Sequence, residues 1–212
     1  MFRYSYSPDD VASIGHCAST VLPPDVEFGP QFDILKTHLE DCAALLSLRG
    51  VENAMTFAHA VPLCAGIDVQ ESKQKELNER FFTTMADRLK ECREENQYYN
   101  IARSADAFAR ALPQDQELFC VLSKHLHRHL NMLEPHEFLR TARGFSQAAF
   151  KDARVSHAAA KWIHRNHREF TLGAWDSLLE NLKTWGTNKN HLRKLSKLKM
   201  AEKSADPELA AA

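Results

Sequence analysis

Glycine is scarce in this chain, with seven in 212 residues. No glycine-rich phosphate loop and no dinucleotide fingerprint can be assembled from them. No apolar run approaches the ~20 residues that a membrane-crossing helix needs, so insertion into a bilayer is not expected. The five cysteines, Cys17, Cys42, Cys64, Cys92 and Cys120, are odd in number and contain no C-x-x-C. That usage predicts reduced, structural cysteine in an intracellular compartment. No nucleophile–base pair and no H-E-x-x-H occurs. Glu94-Glu95 and Asp9-Asp10 read as surface or helix-start charge rather than as a carboxylate pair in a cleft. The expectation is therefore a protein without catalysis, cofactor, metal or small-molecule substrate.

What the chain does have is repetition. The segments NERFFTTMADRL, DQELFCVLSKHL and DARVSHAAAKWI place Phe81, Leu118 and Val155 at intervals of 37 residues. Met85, Leu122 and Ala159 share a second slot, and Leu89, Leu126 and Ile163 a third. The later half of each block agrees: Ile101, Phe138 and Trp175; Ala105, Ala142 and Leu179; Phe108, Phe145 and Leu182. Spacings of three and four residues mark one face of a helix. Asn78, Asp115 and Asp152 precede the first helix of each block, where a short side-chain oxygen can accept from unpaired N–H groups. The second helices open at Tyr98, Pro135 and Leu172. A hairpin cannot bury its apolar stripe alone, so a fixed period in this range predicts stacked units. The predicted fold is all-α: a right-handed-type α-solenoid of helical hairpins with a 37-residue period.

The rest of the chain extends the pattern. Residues 1–7, MFRYSYS, form an N-terminal extension that reads as the whole or the remnant of a short organelle-targeting segment. One solenoid domain is expected over 8–200. It opens with a half unit, 8–22, started by Ser7-Pro8-Asp9-Asp10 with its acids in the first turn. A hairpin at 31–61 carries Leu35, Leu39, Val51, Met55 and Ala58 in the core slots, and a loop fills 62–77. Regular repeats occupy 78–114, 115–151 and 152–188. A partial unit, 189–200, places Leu192 at the next first-helix slot, and 201–212 is a flexible tail.

The net charge of −1 conceals a division. Met1 to Glu117 hold 11 Lys+Arg against 19 Asp+Glu, and Leu118 to Met200 hold 15 against 6. Such asymmetry is a partner signal. Lys124, His127 and Arg128 crowd one helix with His125 and His129; Lys161, Arg165 and Arg168 follow with His164 and His167. Lys124 and Lys161 are one period apart, as are Arg128 and Arg165, so stacking would align them in a stripe able to hold phosphates of a single strand. The other reading is a solvated helix face. Arg193, Lys194 and Lys197 would extend the stripe. Trp162 lies off the core register and is the candidate for stacking on a base, whereas Trp175 sits in a core slot. His125 and His129 have a metal-sharing spacing but no third ligand.

The run LFCVLSKHLHRHLNMLEPHEFLRTARGFSQAAF, with its L-x-P opening and A-x-x-F core, and the segment SPDDVASIGHCASTVL resemble organellar helical repeats. The nearest in style are the heptatricopeptide and FAST-kinase-like arrays, relatives of pentatricopeptide and octotricopeptide solenoids. The resemblance covers Ser7 to about Met200. It implies a mitochondrial protein acting on RNA, or within a ribosome or another large assembly alongside other subunits. The family's frequent RNA-binding C-terminal module has no counterpart here. The rival expectation is a protein–protein scaffold without RNA contact, and a cytoplasmic adaptor is a third.

Overall fold

The computed structural model describes residues 6–21, 29–55, 71–92 and 101–205, and every regular element among them is helical. The chain divides into two compact units, Met1–Leu112 and Pro113–Ala212. The division falls just before the expected border between the blocks 78–114 and 115–151.

The first unit contains α1 (Pro8–Val21), α2 (Gly29–Asp41), α3 (helical over 48–55), α4 (Glu71–Glu91) and α5 (Ile101–Ala111). α1 packs on α2, α2 on α4, and α4 on α5. At the start of α1, Ser7 Oγ accepts from the Asp10 N–H and the Asp10 carboxylate accepts from the Ser7 N–H, a reciprocal cap. Asp9, in the first turn of α1 as expected, also reaches beyond its own helix. Its carboxylate accepts from the Ser47 N–H at 3.0 Å and the Ser47 hydroxyl at 2.6 Å, so α1 caps the entry to α3. Gly50 makes room for this, because a Cβ there would collide with the Asp9 carboxylate. Arg80 Nε donates to Glu40 at 2.8 Å, and Arg88 Nε donates to the Leu46 carbonyl at 2.8 Å, joining α4 to α2 and to the turn after it.

The second unit contains α6 (Gln116–His129), α7 (Pro135–Gln147), α8 (Ala153–Asn166), α9 (Leu172–Thr184) and α10 (Lys189–Ala205). α6 packs on α8 and α8 on α10, giving one row; α7 packs on α9, which also meets α10. Asp115 caps α6 by accepting from the Leu118 N–H, and Asp152 caps α8 by accepting from Arg154 and Val155. Asp152 also accepts from the buried Ser123 hydroxyl at 2.6 Å, which ties α6 to the start of α8. Burial alone would raise the Asp152 carboxyl. The bonds from Ser123, Val155 and Arg154, with the Arg154 charge, outweigh it and hold the pKa below the ordinary range.

The slots read from the sequence are mostly interior. Phe81, Met85, Leu89, Ala105, Phe108, Leu118, Leu122, Leu126, Phe138, Ala142, Phe145, Val155, Ala159, Ile163, Trp175 and Leu182 are all buried, as are Leu39, Val51 and Met55. Leu35 and Leu179 are only half-buried. In α9 the interior stripe runs through Trp175, Leu178 and Leu182; a 3.6-residue turn lets either i+3 or i+4 complete a stripe, and Leu178 takes the place expected for Leu179. On α10 Leu195, not Leu192, is the fully buried residue. Ala58, Tyr98 and the side chain of Ile101 lie outside the described residues, whereas α7 and α9 open at Pro135 and Leu172 as expected.

Three boundaries differ. α4 starts at Glu71, within the interval assigned to a loop, so Asn78 lies two turns inside a helix rather than at its cap. The residues before it, ESKQKEL, are good helix formers with no breaker, and nothing stops the helix at Asn78. α10 continues to Ala205, past the expected end at 200, through similar residues. The third difference is a set of 3₁₀ turns at Ala43–Leu45, Leu130–Met132 and His167–Glu169, each closing α2, α6 or α8. The residue after each, Leu46, Leu133 and Phe170, is extended and its N–H returns to the first carbonyl of the turn.

The second helices share an ending too. After α7, Phe150 N–H bonds the Phe145 carbonyl at 3.1 Å, with Ala149 at φ 50°. After α9, Thr187 N–H bonds the Leu182 carbonyl at 2.9 Å, with Gly186 at φ 89°. Both are left-handed terminations that favour glycine. Ala149→Gly is therefore expected to stabilise the protein by about 0.5–1 kcal/mol, relief of left-handed strain exceeding the added chain entropy. Gly186→Ala should lower stability by a similar amount. Thermal unfolding of the two variants checks the pair; equal shifts of one sign would contradict this account of the turns.

Candidate nucleic-acid interface

The row of α6, α8 and α10 carries two open grooves on the second unit. Between α6 and α8 the lining includes His127, Arg154, His157, Lys161 and Arg165. Between α8 and α10 it includes Lys161, His164, Arg165, His191 and Lys194. The two match in register. His127, Arg154 and His157 in the first correspond, 37 residues on, to His164, His191 and Lys194 in the second. Lys161 and Arg165 line both, on the ridge formed by α8, and Arg165 also lines a third depression near Glu134 and Glu169.

No carboxylate lines either of the first two grooves. Arg154, Lys161, Arg165 and Lys194 have no ion-pair partner among the described residues. Other cations do: Arg80 pairs with Glu40, Arg110 with Asp106 at 3.3 Å, Lys183 with Glu180 at 3.5 Å, and Lys199 with Asp176. Lys161, Arg165 and Lys194, with no ion-pair partner among the described residues, lie around two concave surfaces and produce a positive field that attracts anions, while the Arg154 charge also acts on Asp152. The local geometry follows from the sequence. The first helices bury one arc, and the positions three and four residues apart on the opposite arc carry Arg154, His157, Lys161 and Arg165.

Of the residues expected at the interface, His127, Lys161, Arg165 and Lys194 are brought together here. Lys124, Arg128, Arg168, Arg193 and Lys197 are exposed but outside both linings. Arg128 and Arg165, though one period apart, do not share a groove. The stacking role expected of Trp162 is not available to it: the indole is 4% exposed and packs against Phe138 at 5.0 Å and Phe170 at 6.0 Å. Trp175 is fully buried, and Trp185 lies flat against Phe145 at 5.0 Å. The reading from sequence missed Arg154, His157 and His191 as interface groups. Their signal was present, since Arg154 and His191, and His157 and Lys194, are also one period apart.

The histidines differ in setting. His125 is held below the ordinary histidine range by burial first, then by Arg128 and His129. His191 is held low by burial, then by His157, Lys194 and Lys161. No group of three or more His, Cys, Asp or Glu side chains is arranged to hold a metal ion among the described residues. No described helix is long and apolar enough to cross a membrane. No family model matches the chain, and no curated protein matches it.

Proposed function

We propose that this protein is a non-catalytic, RNA-associated α-solenoid of mitochondrial RNA metabolism or of the mitochondrial ribosome. It holds RNA on the basic surface of the C-terminal half. The carrying observation is the pair of grooves between α6, α8 and α10, whose linings hold several cations and no carboxylate. Lys and Arg bind phosphates by releasing condensed counterions, and a series of cations along adjacent helices suits an extended strand. The solenoid reading is supported by the 37-residue recurrence of burial, of the 3₁₀ turns at Leu130–Met132 and His167–Glu169, and of groove residues. The mitochondrial setting rests on the resemblance to organellar repeats. The acidic N-terminal half, with 19 Asp+Glu to Glu117, would face other protein subunits.

The test is the salt dependence of binding to a labelled single-stranded RNA. Four phosphate contacts give a slope of log K against log salt of roughly −3 for a single strand. A slope near that value is the expected result. Absence of binding even at low salt would favour the rival reading, a scaffold whose basic surface meets acidic protein. An RNase-treated pull-down that keeps the same protein partners would point the same way.

A further inference from the structure

His157 and His191 join the two grooves. His157 lines the groove between α6 and α8, and His191 lines the one between α8 and α10. Their rings meet edge to face, with centroids 4.6 Å apart and planes at 76°. Every charged or titratable group that lines the two grooves around them is basic: His127 from α6; Arg154, Lys161, His164 and Arg165 from α8; Lys194 from α10. α9, which packs on α10, contributes no lining residue. A positive charge on His191 is therefore unwelcome while the site is empty, and no carboxylate in either lining offsets it.

We propose that His157 and His191 form a proton-coupled phosphate site, engaging a phosphate group of the bound strand as the imidazole pair takes up a proton. The inference rests on the RNA reading above and adds its regulation by pH. A phosphate oxygen beside the pair supplies the missing negative charge and accepts from the newly charged N–H. The direction follows from linkage. In the free protein His191 titrates below its usual range, for the causes given above, and is neutral at pH 7. Phosphate raises that pKa, so the complex holds more protons than the free protein. Binding must then strengthen as pH falls from about 8 through the ordinary histidine range near 6.5, by up to about tenfold per pH unit for each proton taken up.

The experiment measures affinity for a labelled oligouridylate between about pH 8 and pH 6 at fixed ionic strength. It uses the full chain, and His157→Gln/His191→Gln beside it. Imidazole resonances are followed by NMR with the oligonucleotide and, separately, with inorganic pyrophosphate. Expected are tighter wild-type binding at low pH, by about tenfold or more over the range, and an upward move of the His191 midpoint with both probes. The double variant should lose most of the pH slope. His157→Gln alone, at an exposed position, serves if the double variant is unfolded by circular dichroism. A wild-type affinity that ignores pH, or a variant that keeps the full slope, overturns the proposal, as does an immobile His191 midpoint. Pyrophosphate moving that midpoint while RNA fails to bind would uphold the phosphate site and remove the RNA reading.

Discussion

Phe145→Ala should destabilise the protein by about 3–5 kcal/mol, the range for emptying a fully buried phenylalanine site. The ring has no solvent exposure. It contacts Phe119 of α6 at 5.6 Å, Phe150 at 5.8 Å and Trp185 at 5.0 Å, the last in a stacked arrangement. Removing it thus opens a void between α6, α7 and the end of α9. Its neighbours are aromatic and rigid, so they can collapse into the space only by leaving their rotamers, which keeps the cost at the upper end. The Trp185 emission should shift to the red as its stacked partner disappears. Ile34→Ala, at a position 70% exposed, is the control and should change stability by less than about 0.5 kcal/mol. A Phe145→Ala protein that unfolds within a degree or two of wild type would mean that this slot is not at the centre of the packing.

That slot was legible from sequence because a core position repeats in kind: Phe108, Phe145 and Leu182 are large and apolar at one spacing, and all are buried. The 3₁₀ turns were not legible. Their sequences, AAL, LNM and HRE, have no residue common to all three, so no residue type marks them. Trp162 was misplaced for a different reason. Three slots per helix describe a narrow stripe, but α8 has α6 on one flank and α10 on the other. Its interior arc widens to include Ser156, Ala160 and Trp162 besides Val155, Ala159 and Ile163. The same flanking explains the grooves. A basic residue contributes to one only where the adjacent helix supplies the opposite wall, so Lys161 and Arg165 qualify and Arg193 and Lys197 do not. Counting charges along the chain found the basic half; it could not tell which cations face each other across two helices.

Lys161→Glu/Arg165→Glu should abolish RNA binding at physiological salt and leave the protein folded. Both side chains are exposed and occupy no interior slot, and neither has an ion pair to lose among the described residues. The stability change expected at such surface positions is within about 0.5 kcal/mol each. The effect on a polyanion is far larger. Two attractive charges are removed and two repulsive ones are placed on the ridge shared by both grooves. Losing two phosphate contacts lowers the magnitude of the single-strand salt slope by roughly 1.4, and the repulsion lowers affinity further. The loss should be uniform across RNA sequences, because phosphate contacts do not read bases. Net charge alone is excluded by a control of equal charge change, Arg140→Glu/Lys183→Glu, on exposed positions of α7 and α9. That protein should bind nearly as wild type does. If both double variants weaken binding equally, the grooves hold no strand and the attraction is a property of the whole basic half. If neither does, the working surface lies outside α6, α8 and α10, and the acidic residues before Glu117 become the next place to reverse charge.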